Sequence, residues 1–288
     1  MVGYGSKKLG VLSDKDSGTI NSVVINLALP AFIFTSIHDK PLTLGMVKAP
    51  VVGIAACLVT LAVAYGVARL LKLDRPTTGA LMIAATFGNT GYMGLPFVSA
   101  AFHGDKASIQ TAVMMDAFGM RLPLCTAGIA VATCFAAGKF RWRDMLEFFR
   151  TPLFPAVVLG LVFRTTPIPD FLMKAIEYMG GATVPLSMIS VGMNLSIGLA
   201  AKWPLGIAAA VLIKLALMPA IAYLGMPYMG IEHSVARIGV IEMGMPSAIF
   251  GGVIAGRYGA NKELVAGAVF VSTLLSVVAL PIVLMLVK

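Results

Sequence analysis

The chain has 288 residues, 58% of them hydrophobic and only 12% charged, with a formal net charge of +9 and a mean hydropathy of +0.91. Soluble domains carry about 25% charge, so this composition excludes a single core folded in water and predicts an integral membrane protein. The positive balance does not point to nucleic acid, because the lysines and arginines lie in short loops between apolar stretches.

Nine apolar stretches follow in chain order, near 20–37, 47–71, 77–102, 107–135, 152–166, 171–198, 205–226, 234–256 and 263–287. A transmembrane helix takes about 20 such residues, and only 152–166 is short. Two of the stretches are interrupted. Gly88-Asn89-Thr90-Gly91 breaks 77–102, with Pro96 just after, and Glu242-Met243-Gly244-Met245-Pro246-Ser247 breaks 234–256. In lipid an unwound backbone leaves costly unpaired N–H and C=O groups, so it survives only inside protein or beside a watery cavity. Two breaks at matching places in two halves point to the substrate site of a transporter.

Taking alternate loops, 13 cations fall on one side and 7 on the other. Positive charge marks the cytoplasm, which places the N-terminal segment and the 139–150 loop there and the C-terminus outside, in a cell (inner) membrane. The remaining two cations, Arg121 and Lys214, lie within apolar stretches. Cys57, Cys125 and Cys134 also lie in apolar stretches at no metal-like spacing and read as small core residues. His38, His103 and His233 sit at loop ends, no His-Glu-x-x-His or Gly-x-Ser-x-Gly pattern occurs, and neither an enzyme nor a bound cofactor is expected. The polar, basic start carries no cleavable signal pattern.

The halves share landmarks at an offset of 155: Pro30 with Pro185, Gly91 with Pro246, and Gly104 with Gly259. The second half holds five stretches and the first four. The offset places the partner of 152–166 at the very start, where only Met1 to Gly10 stand. The expected fold is therefore all-α: an inverted-repeat helical bundle of five-plus-five type with nine spans, lacking most of its first helix, whether by a misassigned start or a real truncation. Residues 1–138 form the first repeat, 139–150 a cytoplasmic loop and 151–288 the second repeat.

Three segments carry a resemblance. Ile25-Asn26-Leu27-Ala28-Leu29-Pro30-Ala31-Phe32-Ile33-Phe34, Gly88-Asn89-Thr90-Gly91-Tyr92-Met93-Gly94-Leu95-Pro96 and Glu242-Met243-Gly244-Met245-Pro246-Ser247-Ala248 closely resemble signature segments of the auxin efflux carrier family. The closing run Val269 to Ser276 fits as well. The resemblance implies a ten-helix fold like that of sodium–bile acid symporters. In such a fold a scaffold part and a transport part move against each other, and two broken helices cross at mid-membrane. It also implies transport of organic acids: plant members export auxin, and bacterial members are typically malate or malonate permeases. The short 139–150 loop is more like that of a bacterial member. Packing into a homodimer is a further implication of the fold.

The residues themselves suggest roles. A helix break offers N–H groups with partial positive charge at one end and C=O groups at the other, suited to a carboxylate and a cation respectively. Asn89 is a candidate donor to a substrate carboxylate, with half-helix capping as the plainer role; Thr90, Pro246 and Ser247 join it in the breaks. Gly88, Gly91 and Gly94 permit the turn and a close crossing. Arg121 is a candidate to attract an anion, and Lys214 a weaker one; an ion pair or snorkelling serves either equally well. Glu242 and Asp116 are intramembrane carboxylates, suited to a coupling proton or sodium ion or to a salt bridge, for Glu242 with Arg237 or Arg121. Asp116 and Arg121 are five apart, off the i,i+3 and i,i+4 facing positions, and are expected to find partners elsewhere. Asn26, Ser187, Ser190 and Asn194 read as interhelical hydrogen bonds or cavity lining, and the Gly252/Gly256 pair as helix packing. The combined expectation is a secondary transporter of small organic anions such as malate, malonate or auxin-like carboxylates, working by alternating access. A non-transporting membrane sensor or scaffold of the same fold is the alternative. Lipid and the anion are the expected partners.

Overall fold

The computed structural model describes residues 2–38, 40–136, 146–193 and 202–288, and among these there is no β-strand. In chain order the helices are α1 (Val2–Lys8), α2 (Lys15–Ile37), α3 (Leu44–Leu70), α4 (Arg75–Thr86), α5 (Leu95–Ala101), α6 (Lys106–Phe135), α7 (Leu153–Val162), α8 (Asp170–Gly181), α9 (Thr183–Met193), α10 (Pro204–Tyr228), α11 (His233–Met243), α12 (Ile249–Tyr258) and α13 (Lys262–Leu286). A single turn at Glu147–Arg150 precedes α7.

Five of them, α2, α3, α6, α10 and α13, are long and apolar enough to cross a membrane, and the chain is a multi-pass membrane protein. The other apolar stretches are shorter pieces: α4 with α5, α7, α8 with α9, and α11 with α12. The starts follow side-chain caps. Thr43, Asp74, Asp105 and Asn261 accept the N–H three residues on and begin α3, α4, α6 and α13, each satisfying a donor that a helix start leaves free.

Apolar residues cover the outside as well as the core. Leu274, Leu275, Val277, Val278 and Ile282 of α13 are exposed, as a lipid-facing helix requires. Small residues fill the contacts within: Ala49, Gly53, Ala56, Thr60, Ala64 and Ala68 of α3 are buried, and a Cβ on Gly53 would come within 3.1 Å of Gly119 Cα in α6. Without a hydrophobic drive between helices in lipid, such close backbone approach supplies the packing energy.

Two packing groups result. One contains α1, α2, α7, α8 and α9; the other contains α3 to α6 and α10 to α13. They meet where α9 touches the turn before α5 and α5 itself, and where α2 and α7 touch α6. The order of elements repeats along the chain, long helix then broken helix then long helix. Gly104 and Gly259, 155 apart, both close a broken helix with left-handed φ of 73° and 81°.

Candidate functional site

The two breaks lie against each other. Thr86 ends α4, Phe87 leaves it in extended backbone, and Gly88 and Asn89 pass into a π-helical turn at Thr90–Gly94 that leads into α5. Met243 ends α11, and Gly244 to Ala248 lead into α12. The two breaks pair antiparallel at Gly88 and Ser247. Asn89 N–H donates to Pro246 C=O at 2.7 Å, and Ala248 N–H donates to Phe87 C=O at 2.8 Å. Ser247 adds two more bonds, its hydroxyl donating to Ala84 C=O at 2.7 Å and its N–H to Ser272 Oγ at 3.0 Å. Each break thus supplies partners for groups that the other exposes, which is how an unwound backbone is tolerated at membrane depth.

Beside this crossing is a cavity of about 60 Å³, lined on one side by Gly88, Asn89, Thr90, Gly91 and Tyr92 and on another by Ala248 and Phe250. These residues open the second halves of both broken helices, so two helix starts converge on one space. Their first N–H groups have no partner within the helix and carry partial positive charge. The Asn89 side-chain nitrogen is buried there with no hydrogen-bond partner among the described residues. Asp116, Met120, Arg121 and Cys125 of α6 close the far wall, and Ile25, Thr151 and Leu153 border it from the other packing group and the segment before α7.

Four charged side chains surround the crossing. Arg121 binds Asp116 through Nε and Nη2, at 2.9 Å for the closest contact. Thr90 donates to the same carboxylate at 2.6 Å. Lys214 in α10 is fully buried, and its Nζ donates to Met243 C=O at 2.5 Å and lies 3.2 Å from Met218 Sδ. Glu242 is fully buried, and neither carboxylate oxygen has a hydrogen-bond partner among the described residues. The three glycines of the first break make room for these groups. A Cβ on Gly88 would lie 2.9 Å from Lys214 Cε, one on Gly91 would lie 2.6 Å from Arg121 Nη2, and one on Gly94 would overlap the Glu242 carboxylate.

The candidates named from sequence therefore divide. Asn89, Thr90, Gly88, Gly91, Arg121 and Asp116 line one cavity. Pro246 and Ser247 hold the crossing through their backbone and the Ser247 hydroxyl, outside the cavity lining. Glu242 stands over Gly94. The expectation that Asp116 and Arg121 seek other partners is overturned. Met115–Arg121 is π-helical, and its i→i+5 closure puts residues five apart on one face. Arg237 and Glu242 have the same spacing in the regular α-helix α11 and do not pair; Arg237 lies over the Phe102 ring at 4.7 Å. Lys214, the weaker candidate by sequence, is the most deeply placed cation of the site, also on a π-helical turn at Ile213–Leu217. Its burial next to Gly88 has no sequence signal beyond a lysine at mid-stretch.

Other expectations resolve locally. Asn26 bonds Ser22 within α2, and Ser190 bonds Asn21 between α9 and α2. Ser187 Oγ is buried without a partner among the described residues, and Asn194 lies outside them. A Cβ on Gly252 or Gly256 would meet only ordinary van der Waals neighbours at 3.9 Å. Cys57 and Cys125 are buried, whereas Cys134 is exposed.

Similarity to known proteins spans nearly the whole chain. The family described as "Membrane transport protein" matches residues 1–133 and 139–284. An "Uncharacterized transporter" of Methanothermobacter thermautotrophicus is 33% identical over 289 residues, covering 98% of this chain and 93% of its own length. Another protein so named, from Methanocaldococcus jannaschii, is 28% identical, covering 97% and 92%. A protein named "Putative malonate transporter" from Rhizobium meliloti is 24% identical, covering 96% and 88%.

Proposed function

From the premise that this chain belongs to the membrane transport protein family, that of the auxin efflux carriers, we propose that it is a secondary transporter of small organic anions working by alternating access. The observation that carries the reading is the unpaired, buried Asn89 amide in a cavity where two helix starts converge. Such a site binds a carboxylate with N–H donors and partial positive charge, without a full countercharge. Arg121 adds a full charge already shared with Asp116, so a bound anion and Asp116 compete for one guanidinium.

The cavity, about 60 Å³, has room for only a few water molecules. It suits a short aliphatic acid such as malonate or malate better than an auxin-like aromatic acid. The name given to the Rhizobium meliloti relative supports malonate as the first choice. Glu242 and Asp116 are the groups for the coupling ion. A fully buried carboxylate without a hydrogen-bond partner calls for a proton or a cation in low dielectric.

The two packing groups are the scaffold and transport parts of an inverted repeat, and the antiparallel pairing of the breaks is what such a repeat produces at its centre. The N-terminal segment faces the cytoplasm and the C-terminus the outside of the cell membrane, and the scaffold part pairs two copies into a homodimer. The test is counterflow of labelled malonate and malate in proteoliposomes. Uptake suppressed by excess unlabelled acid, and lost in Asn89→Ala while membrane insertion persists, supports the reading. Wild-type flux in Asn89→Ala removes Asn89 from the site, and no uptake of either acid by the wild type overturns the choice of substrate.

A further inference from the structure

Of the four charged side chains at the crossing, Lys214 is the one to which the transport reading gives no part. It does not line the cavity but reaches the crossing from α10, on the α11 side. Its Nζ donates to the C=O of Met243, the last residue of α11. The position a Cβ would take on Gly88 lies 3.2 Å from Nζ and 3.3 Å from Met245 C=O. The ammonium, which holds the Met243 carbonyl, and the Met245 carbonyl thus border one small space that glycine keeps open. No carboxylate lies within ion-pair distance of Lys214 among the described residues. A lysine buried in a membrane protein is costly unless something compensates it, and here that is the negative end of a helix with its unwound carbonyls.

Those carbonyls are the ligand set that an unwound helix end offers to a cation such as sodium. The other C-terminal end at the crossing is already satisfied: α4 is closed by the Ser247 hydroxyl on Ala84 C=O and by Ala248 N–H on Phe87 C=O. The end of α11 receives the ammonium instead. We propose that Lys214 is a resident cation, occupying the position an unwound helix end presents to a metal ion, so that the carrier keeps its second broken helix assembled without sodium. This rests on the transport reading and narrows it, because sodium is then not required and the proton is left as the coupling ion for the carboxylates.

The geometry predicts both the independence of the wild type and the dependence of a variant. Malonate counterflow by the wild type is unchanged when choline replaces sodium. Lys214→Ala slows it about tenfold or more in choline, the loss of one buried charge-assisted hydrogen bond. Sodium or ethylammonium then restores part of the rate by entering the freed space. The melting temperature of detergent-purified Lys214→Ala rises on adding either cation, and that of the wild type does not. The melting shift is read without any transport, so a wild type that moves neither acid defeats the transport reading while leaving this inference to the melting curves. A sodium requirement in the wild type overturns the proposal, as does a Lys214→Ala protein whose rate and melting temperature ignore both cations. Should the alanine variant not fold, Lys214→Gln carries the same measurements, and the sodium test on the wild type stands alone.

Discussion

At the scale of single residues, the first break is a set of three vacated Cβ positions at three-residue spacing. Gly88, Gly91 and Gly94 stand against Lys214, Arg121 and Glu242 respectively. Glycine is selected here by space more than by dihedral freedom, since none of the three has positive φ. Gly94→Ala is the sharpest test. In an exposed helix interior that change gains up to about 1 kcal/mol. Here the new methyl would overlap the Glu242 carboxylate, and overpacking in a tight core costs about 1–3 kcal/mol. The variant is expected to melt earlier than the wild type. Gly94→Ala combined with Glu242→Ala is expected to recover most of the loss, because the second change removes the obstacle. Additive losses in the double variant would show that the two side chains do not share this space.

At the scale of elements, the local helix type decides which charges meet. Asp116 and Arg121 pair because their segment is π-helical, while Arg237 and Glu242, equally spaced, stay apart in an α-helix. Arg121→Ala leaves a buried carboxylate unpaired, a loss of roughly 3 kcal/mol or more, read as a fall in melting temperature. Replacing the pair together, Asp116→Asn with Arg121→Gln, is expected to recover much of the stability but not malonate flux. Recovery of flux would make the pair a structural brace and nothing more. The start of α6 offers a pH test outside the apolar core. The Ser108 hydroxyl, and then its N–H, hold the Asp105 carboxyl below the usual carboxylate range. A depressed value means the cap stabilises fully above the unfolded value and is lost as pH falls through the folded one. Asp105→Ala should therefore cost about 1 kcal/mol at neutral pH and little in acid, checked by melting across pH.

These elements also show what the sequence disclosed. Both breaks were legible, because Gly-Asn-Thr-Gly and Gly-Met-Pro-Ser stop a helix wherever they stand, and the offset of 155 set them opposite each other. The pairing of Asp116 with Arg121 was not legible. Facing rules assume an α-helix, and nothing in Met115–Arg121 announces a wider turn. The weight of Lys214 was hidden for another reason: spacing along α10 gives the side chain no depth, and only the packing of α10 against the broken helices brings it to the crossing.

At the scale of the molecule, the proposed alternating access requires the two packing groups to move, and their boundary is thin. Away from the crossing they share a polar pocket whose lining includes Thr35, His38 and Arg164 from one group and its loops and Lys106 from the other. One side of it is held by His38 Nε2 against Thr166 C=O at 3.0 Å, whereas Lys106 opens α6 and belongs to the second group. Rigid-body motion of the second group would carry Lys106 away from Arg164, since each is anchored in its own group. Lys106→Cys with Arg164→Cys, in a chain whose exposed Cys134 is replaced by serine, is therefore expected to lose flux when a short reducible bifunctional thiol reagent bridges the pair. Reduction should restore it, and each single cysteine variant should transport with or without reagent. Cys57 is buried and needs no replacement, whereas Cys125 lines the cavity at the crossing and is replaced by serine together with Cys134. Full flux in the bridged protein would mean that substrate passes without relative motion at this boundary, which alternating access between these two groups does not allow.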